Sequence, residues 1–471
     1  MTNYDYDMIC IGSGPAGQRA AVQGAKLGKR VAIIEREQVV GGVSLHTGTI
    51  PSKTFREAVL TFGRGGRRAS DMRRRASDMN GSNRQEVTAS QLFQRVGSIV
   101  QREEQVQDAQ LGRNDVEVIV GTASFRNPHE LAIASSQGKR KVSAKNIMIA
   151  VGTKPATPAK TKLDGERIIT SDEIFNLAEL PHSMVVIGAG VVGIEYASMF
   201  ALMGVEVTMV DTRERPLEFL DREIIDELVH QMRDIKVVFR LGETVAKVET
   251  RENARRRVVV SLESGKRLIA DVALVCAGRA GNTHSLNLGA AGLEADERGR
   301  LTVNDKFRTQ QSHIYAGGDV IGFPALAATS SEQGRLAACN AFGVEVGPMP
   351  TNFPVGIYSI PEISMVGEAE HELTARKIPY EVGIARFREI ARGQILGDDT
   401  GLLKLIFHRK DHRLLGVHTI GTSATELVHI GQCVMGLGGG LDYFLQTVFN
   451  YPTLAECYKV AALDAYNKLT L

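Results

Sequence analysis

Two glycine runs carry the plainest chemistry in this chain. Gly12, Gly14 and Gly17 form G-x-G-x-x-G, and Gly188, Gly190 and Gly193 repeat it. An acid stands 23 positions after the first glycine of each run, Glu35 in one copy and Asp211 in the other. Residues of these types at this spacing suit a dinucleotide. The first glycine makes a tight turn, the second lets backbone approach a pyrophosphate, and the third packs helix on strand. A helix starting there offers free N–H groups and the positive end of its dipole to phosphate. The acid can accept hydrogen bonds from ribose hydroxyls.

A strand, a helix and a second strand must position these groups. An apolar strand begins at Asp7, a small-residue helix runs to Leu27, Gly28 ends it, and a strand from Val31 to Ile34 stops at Glu35. The order recurs from Met184: strand, glycine run, helix, Gly204, strand, Asp211. Gly28 and Gly204 each lie 16 positions after the first glycine of their unit. One such motif is weak evidence, because glycines also mark turns. Two with matching offsets predict two sites, filled by two dinucleotides or by a flavin and a nicotinamide.

At 471 residues, two to four domains are expected. Apolar content of 43% with 23% charged residues fits a soluble globular protein, and no stretch is long enough to span a bilayer. A net charge of +2 gives no reason to expect nucleic acid or an acidic partner. The first strand begins too early to leave room for a signal peptide, and five scattered cysteines form no CxxC pair, so a reducing, cytoplasmic setting is expected. None of the 11 histidines stands in a metal-ligand array, and no metal is expected. From Gly63 to Arg84 the chain repeats Arg-Arg-Ala-Ser-Asp-Met and carries six arginines between Arg64 and Arg75. It reads as a solvated insertion, with a basic contact patch or a kinase-like site as the alternatives.

Residues 41–53, Gly-Gly-Val-Ser-Leu-His-Thr-Gly-Thr-Ile-Pro-Ser-Lys, resemble the redox-active segment of the flavoprotein disulfide reductases, which include lipoamide dehydrogenase and glutathione reductase. Ala150-Val-Gly-Thr-Lys-Pro155, Ala277-Gly-Arg-Ala-Gly-Asn282 and Ile314-Tyr-Ala-Gly-Gly-Asp319 are similar to further motifs of that family, in the same order. The resemblance implies an α/β fold with two Rossmann-like dinucleotide-binding domains and a C-terminal α+β dimerisation domain. It places FAD on the first unit, at Gly12, Gly14, Gly17, Glu35, Gly42, Lys53, Asp319 and Ala327. NAD or NADP falls to the second, at Gly188, Gly190, Gly193, Asp211, Arg213 and Gly278. The FAD-binding domain would cover residues 1–155 and 279–348, the NAD(P)-binding domain 156–278 and the interface domain 349–471. A homodimer or higher homo-oligomer is implied, with Gly347-Pro-Met-Pro350 as a plausible linker.

The family passes electrons through two cysteines, whose positions hold Ser44 and Thr49 here. A hydroxyl neither forms a disulfide nor supplies the thiolate that exchange requires. The family's proton-shuttling His is also gone: Asn450-Tyr-Pro-Thr-Leu-Ala-Glu456 has Tyr451 in its place. Tyrosine, with a pKa near ~10, suits neutral-pH proton transfer poorly. Cys457 nearby reads as a buried structural thiol. What the resemblance retains is Lys53 beside flavin N5, paired with Glu195, and a helix N-terminus near Ala327 aimed at the C2 carbonyl side. Asp211 favours the free 2′-hydroxyl of NAD, while Arg213 or Arg215 suits the 2′-phosphate of NADP. Val191 stands where glutathione reductases often carry a bulky Tyr; ease of coenzyme exchange and ordinary helix packing both fit. His46 could line the flavin pocket in a minor, structural role, and His429, on a helical stretch, reads as packing at an interface.

Gly-Thr-Ile-Pro-Ser-Lys, Phe449-Asn-Tyr-Pro-Thr and Ile357-Tyr-Ser-Ile-Pro-Glu together resemble the soluble, Si-specific pyridine nucleotide transhydrogenase branch, although that branch usually keeps a Cys at the Ser44 position. The implied activity is ping-pong hydride transfer from NADPH to NAD⁺ through flavin N5. A lipoamide-dehydrogenase-like NAD(P)H diaphorase or quinone reductase and a non-catalytic FAD-binding subunit are the alternatives.

Overall fold

The computed structural model describes residues 4–74, 88–158, 161–252 and 256–469, with backbone alone over 62–74 and at 252. The chain opens with β1 (Tyr6–Ile11), α1 (Pro15–Lys26) and β2 (Val31–Glu35). Two helices follow, α2 (Gly42–His46) and α3 (Thr49–Arg74), then α4 (Ala89–Gly112). Thr88 begins α4 with a capping box closed by Gln91. The Arg-rich repeat lies, apart from helical backbone to Arg74, outside the described residues.

Strands β3 (Glu117–Val120), β4 (Thr122–Asn127), β5 (Glu130–Ser135) and β6 (Gly138–Ile149) complete the early part of the first sheet. Its order is β3-β2-β1-β6-β5-β4. Strand β6 serves two partners. Its first half pairs antiparallel with β5, and Ala144 to Ile149 pair in parallel with β1. Parallel strands are covered on both faces and therefore read as unbroken apolar runs: Met8 to Ile11 and all of β2 are buried.

The chain then crosses through β7 (Thr153–Pro155) and β8 (Ile168–Ile169) into the second unit, β9 (Ser183–Ile187), α5 (Val191–Leu202), β10 (Glu206–Asp211), α6 (Arg222–Asp234) and β11 (Val238–Leu241). A three-stranded meander, β12 (Val245–Glu252), β13 (Arg256–Leu262) and β14 (Arg267–Ala270), precedes β15 (Val272–Val275). The second sheet has the order β11-β10-β9-β15-β8. The return strand β16 (Arg279–Gly281) pairs antiparallel with β7, so outward and inward crossings form one two-stranded ribbon. Strand β17 (Ile314–Ala316) then joins the first sheet beside β6, and α7 (Ala327–Ala341) packs on α1. The contact is close enough that a Cβ on Gly334 would fall 2.0 Å from the Ala16 carbonyl oxygen.

The third sheet is built from β18 (Val355–Ile357), β19 (Ile363–Gly367), β20 (Tyr380–Arg386), β21 (Leu402–His408) and β22 (Leu414–Ile420), in the order β18-β19-β22-β21-β20. Short helices α8 (Glu370–Ala375) and α9 (Ala391–Leu396) join its strands, and α10 (Ala424–Gly436), α11 (Leu441–Gln446) and α12 (Glu456–Leu469) follow. Lys404 of β21, 1% exposed, fastens this sheet to the second unit. Its ammonium lies 2.9 Å from Asp221, the cap of α6, and 3.1 Å from Glu223, with Glu370 closing the group. The carboxylates balance a cation whose solitary burial would cost several kcal/mol.

Candidate functional site

Each glycine of the two runs meets the geometric need of its position. Gly12 and Gly188 have φ of 100° and 110°, where a side chain is strained. A Cβ on Gly14 would meet nothing within 4 Å, and one on Gly190 only the Arg213 guanidinium at 3.9 Å. A Cβ on Gly17 or Gly193 would stand 1.9 Å from the carbonyl oxygen of Gly12 or Gly188. So the second glycine of each run faces open space, while the third is pressed against the turn. Helices α1 and α5 start beside these gaps without side-chain caps, leaving their first N–H groups free for an anion.

The two acids reach back to the same loops. Glu35 Oε2 accepts from the Ser13 N–H at 2.9 Å and from its hydroxyl at 2.5 Å. Asp211 Oδ2 accepts from the Ala189 N–H at 2.5 Å. Arg213 closes on Asp211 as a fork, with Nε 2.9 Å from Oδ1 and Nη2 2.7 Å from Oδ2. Burial works to raise the Asp211 pKa, but the Arg213 guanidinium and the backbone donors outweigh it and hold the carboxyl below its usual range. Arg215 turns away to Asp226 at 3.1 Å, so of the two arginines the site keeps Arg213. Gly278, at φ 96°, closes the turn between β15 and β16.

A long cleft runs over the carboxyl ends of the first sheet. Gly12, Gly14, Glu35, Gly42, Asp319 and Ala327 all line it, and so do Ser44 and Thr49. Gly17 lies beneath it. Gly42 packs edge-on to Gly14, where a Cβ would come within 3.0 Å of Gly14 Cα. Burial pushes the Asp319 pKa up despite nearby Arg279, and its nearest donor is the Thr153 hydroxyl at 3.4 Å. A half-buried carboxyl so thinly supplied with donors suits a polyhydroxylated chain. Helix α7 opens at Ala327 without a side-chain cap, its N-terminal groups meeting the same cleft. The open space at Gly14, the Glu35 carboxylate, the thinly supplied Asp319 and the helix N-terminus at Ala327 make a lining that FAD would fit.

Lys53 stands one helical turn after Thr49 on α3, and Glu195 projects from α5. They meet: Lys53 Nζ lies 2.9 Å and 2.7 Å from the two Glu195 oxygens. Glu195 is 4% exposed, whereas the lysine side chain keeps 26% of its surface open. A buried carboxylate of the second unit thus fixes an ammonium of the first, on a side chain that stays partly exposed.

The remaining sequence candidates fall into place as packing or surface groups. Cys457 is fully buried, and burial lifts its thiol to about 12, which keeps it inert. Tyr451 is 67% exposed. His46 binds the Val40 carbonyl oxygen at 2.8 Å, and His429, on α10, binds Gln432 at 2.8 Å. Val191 is the first residue of α5.

Sequence reasoning passed over three participants. Ser13 bridges Glu35 and the Gly41 N–H. Arg279 grips Thr153 through its hydroxyl and carbonyl oxygen, both at 2.8 Å, and so clasps the two crossing strands. Tyr358 gives its N–H to Glu195 at 2.9 Å. Arg279 and Tyr358 lie inside motifs already singled out, yet only contacts distant in sequence reveal what they touch.

Known proteins match this architecture along the chain. The pyridine nucleotide-disulphide oxidoreductase model matches residues 6–334, and the dimerisation domain of the same family matches 353–462. A soluble pyridine nucleotide transhydrogenase from Mycobacterium bovis is 51% identical over 99% of this chain and 98% of its own. One from Colwellia psychrerythraea is 44% identical over 99% of each. Among solved structures, the Cu(II) complex of the HOCl-induced flavoprotein disulfide reductase RclA from Escherichia coli superposes with a TM-score of 0.88 at 27% identity, covering 98% of this chain and 99% of that one. LpdA from Mycobacterium tuberculosis gives 0.88 at 26% identity, covering 97% and 99%. No helix among the described residues is long and apolar enough to cross a membrane. With both segments matched in order over two dinucleotide folds and a third sheet, the chain belongs to the pyridine nucleotide-disulphide oxidoreductase family.

Proposed function

We propose that the protein is an FAD-dependent, Si-specific NAD(P)⁺ transhydrogenase that moves hydride from NADPH to NAD⁺ by a ping-pong mechanism. The observation that carries this reading is a paired lysine, Lys53 with Glu195, beside a cleft whose redox positions hold the hydroxyls of Ser44 and Thr49. Bound FAD would supply a two-electron acceptor between one nicotinamide and the next. Lys53 offers positive charge where negative charge gathers in a poorly solvated site. Glu195 holds that ammonium, and the N-terminus of α7 adds its dipole from the Ala327 side. Ser44 and Thr49 offer no thiol to divert electrons to a disulfide. In the second unit Gly188, Gly190, Gly193 and Gly278 receive the coenzyme pyrophosphate, with Asp211 and Arg213 at the ribose end. Both coenzymes use this site in turn.

The domain limits given above belong to the same reading, supported by the β7–β16 ribbon at the junction of the first two units. So do a cytoplasmic setting and assembly through the third domain, where Leu437 and Val448 are 88% and 93% exposed. The deciding assay is anaerobic: NADPH plus a spectrally distinct NAD analogue. Stoichiometric reduction of the analogue supports the reading. Oxidation of NADPH only when quinone or dye is supplied points to a diaphorase, and no turnover with either points to a binding subunit.

A further inference from the structure

The Lys53–Glu195 pair is held by a third element, and that element comes from the other end of the chain. The segment just after β18 crosses over α3 and α5. Its Tyr358 N–H donates to Glu195 Oε1 at 2.9 Å, and the Tyr358 ring presents its face to Lys53, with Nζ 4.9 Å from the ring centre. The next residues bolt the segment down. The Ser359 carbonyl oxygen accepts from Arg56 Nε at 3.1 Å, and the Ile360 N–H donates to Ser198 Oγ at 3.0 Å. Glu362 accepts from Arg56 Nη2 at 2.9 Å.

These anchors have a regular logic. Arg56 lies three residues after Lys53 on α3, and Ser198 three residues after Glu195 on α5. Residues so spaced share one helix face. The segment therefore grips both helices one turn beyond the residues it serves. Arg56 and Ser359 are buried, so the grip is shielded from water. Around the ammonium stand the two Glu195 oxygens, the Ser52 hydroxyl at 3.2 Å and the π-face of Tyr358. A ring face attracts a cation through its quadrupole, more strongly where water is scarce.

We propose that Tyr358 is a positioning residue for the hydride step: its ring and its N–H hold Lys53 and Glu195 in the arrangement that stabilises the reduced flavin. The third domain thereby sets the flavin's electrostatics as well as offering surface for assembly. The inference rests on the flavin role proposed for Lys53.

The test uses FAD-loaded protein with confirmed flavin content. Tyr358→Leu keeps the N–H and removes the ring, Tyr358→Phe keeps both, and Lys53→Met removes the cation. Spectroelectrochemistry gives the two-electron midpoint potential, and mass spectrometry after trace acetylation gives the reactivity of Lys53. Loss of a ring–cation contact corresponds to about two- to thirty-fold in equilibrium. Tyr358→Leu should therefore lower the midpoint by roughly 10–45 mV, at about 30 mV per tenfold for a two-electron couple. It should also label faster at Lys53, and Tyr358→Phe should return both readings toward wild type. A shift in Lys53→Met with none in Tyr358→Leu overturns the inference and leaves the role of Lys53 standing. No shift in either variant overturns both. Equal shifts in the Leu and Phe variants would assign the effect to the hydroxyl and likewise overturn it.

Discussion

Asp211 and Arg213 close on each other as a fork. The guanidinium fork covers both carboxylate oxygens at 2.9 Å and 2.7 Å, and the Ala189 N–H takes a further acceptor site. On the proposed reading, a ribose that binds the acid competes with the arginine, and a 2′-phosphate that binds the arginine competes with the acid.

Arg213→Gln should therefore separate the two coenzymes. A hydrogen bond to a charged group is worth about 1.5–3 kcal/mol, or roughly 10–100-fold. The expected result is a loss of that size in kcat/KM for NADPH, with NAD⁺ unchanged or improved because Asp211 is released. Steady-state kinetics with each coenzyme checks it; equal losses for both would show that Arg213 does not read the 2′ position.

Lys53→Met should slow flavin reduction by NADPH while leaving FAD in place. Removing one charged donor from such a site costs about 2–4 kcal/mol, equivalent to roughly 10²–10³ in rate. Glu195→Gln should act more mildly, because the cation remains. Rapid mixing, monitored by flavin bleaching, isolates this step from product release.

The protein should not reduce lipoamide or glutathione disulfide. Partial reduction should also lack the long-wavelength thiolate–flavin absorption that a redox cysteine would give. Robust NADH-dependent lipoamide turnover, lost on substituting Ser44 or Thr49, would contradict the assignment.

Gly14 and Gly17 should fail differently. A side chain at Gly14 enters open space, so Gly14→Leu should yield folded protein without bound flavin. A side chain at Gly17 strikes the Gly12 carbonyl oxygen, so Gly17→Val should lose stability itself. Flavin absorbance and thermal melting, measured on both variants, separate the outcomes.

His418 should make stability fall in acid. The ring is buried beside Asp221, Lys404, Glu370 and Glu372, and burial chiefly drives its pKa down to about 4 from 6.5. Unfolding restores the higher value, so the contribution is intact above about pH 6.5 and is lost as pH falls toward 4. The total is roughly 3 kcal/mol at ~1.36 kcal/mol per pH unit. Denaturant titrations from pH 7 to 4 should show this slope in wild type and a shallower one in His418→Gln. Parallel slopes would remove His418 as the cause.

Much of this was legible beforehand because it is local. The glycine runs and the acid at the end of each second strand are set by residues within one strand–helix–strand unit. Pairing of Lys53 with Glu195 came through family resemblance, since nothing between positions 53 and 195 encodes their meeting. Tyr358, Arg279 and the Lys404 group stayed hidden for the same reason. Their partners lie more than a hundred residues away in sequence, and single side chains carry no periodic signal of a distant contact. Asp211 illustrates a finer limit: its acid and arginine were both visible, but not that Arg213 alone folds onto the carboxylate while Arg215 leaves for Asp226.

The position of β17 in the first sheet bears on how the molecule is made. A ribosome that has released residues 1–155 has delivered β1, β2 and β6, but the strand that closes the far side of β6 lies beyond the whole of the second unit and the β16 return. Asp319 and the helix that packs on α1 emerge later again. The first nucleotide fold in the sequence is therefore completed only after the internal unit that interrupts it, and until then the nascent chain carries an open β6 edge. On the proposed reading, the flavin cleft is complete only once α7 has left the exit tunnel, with the third sheet still to be made.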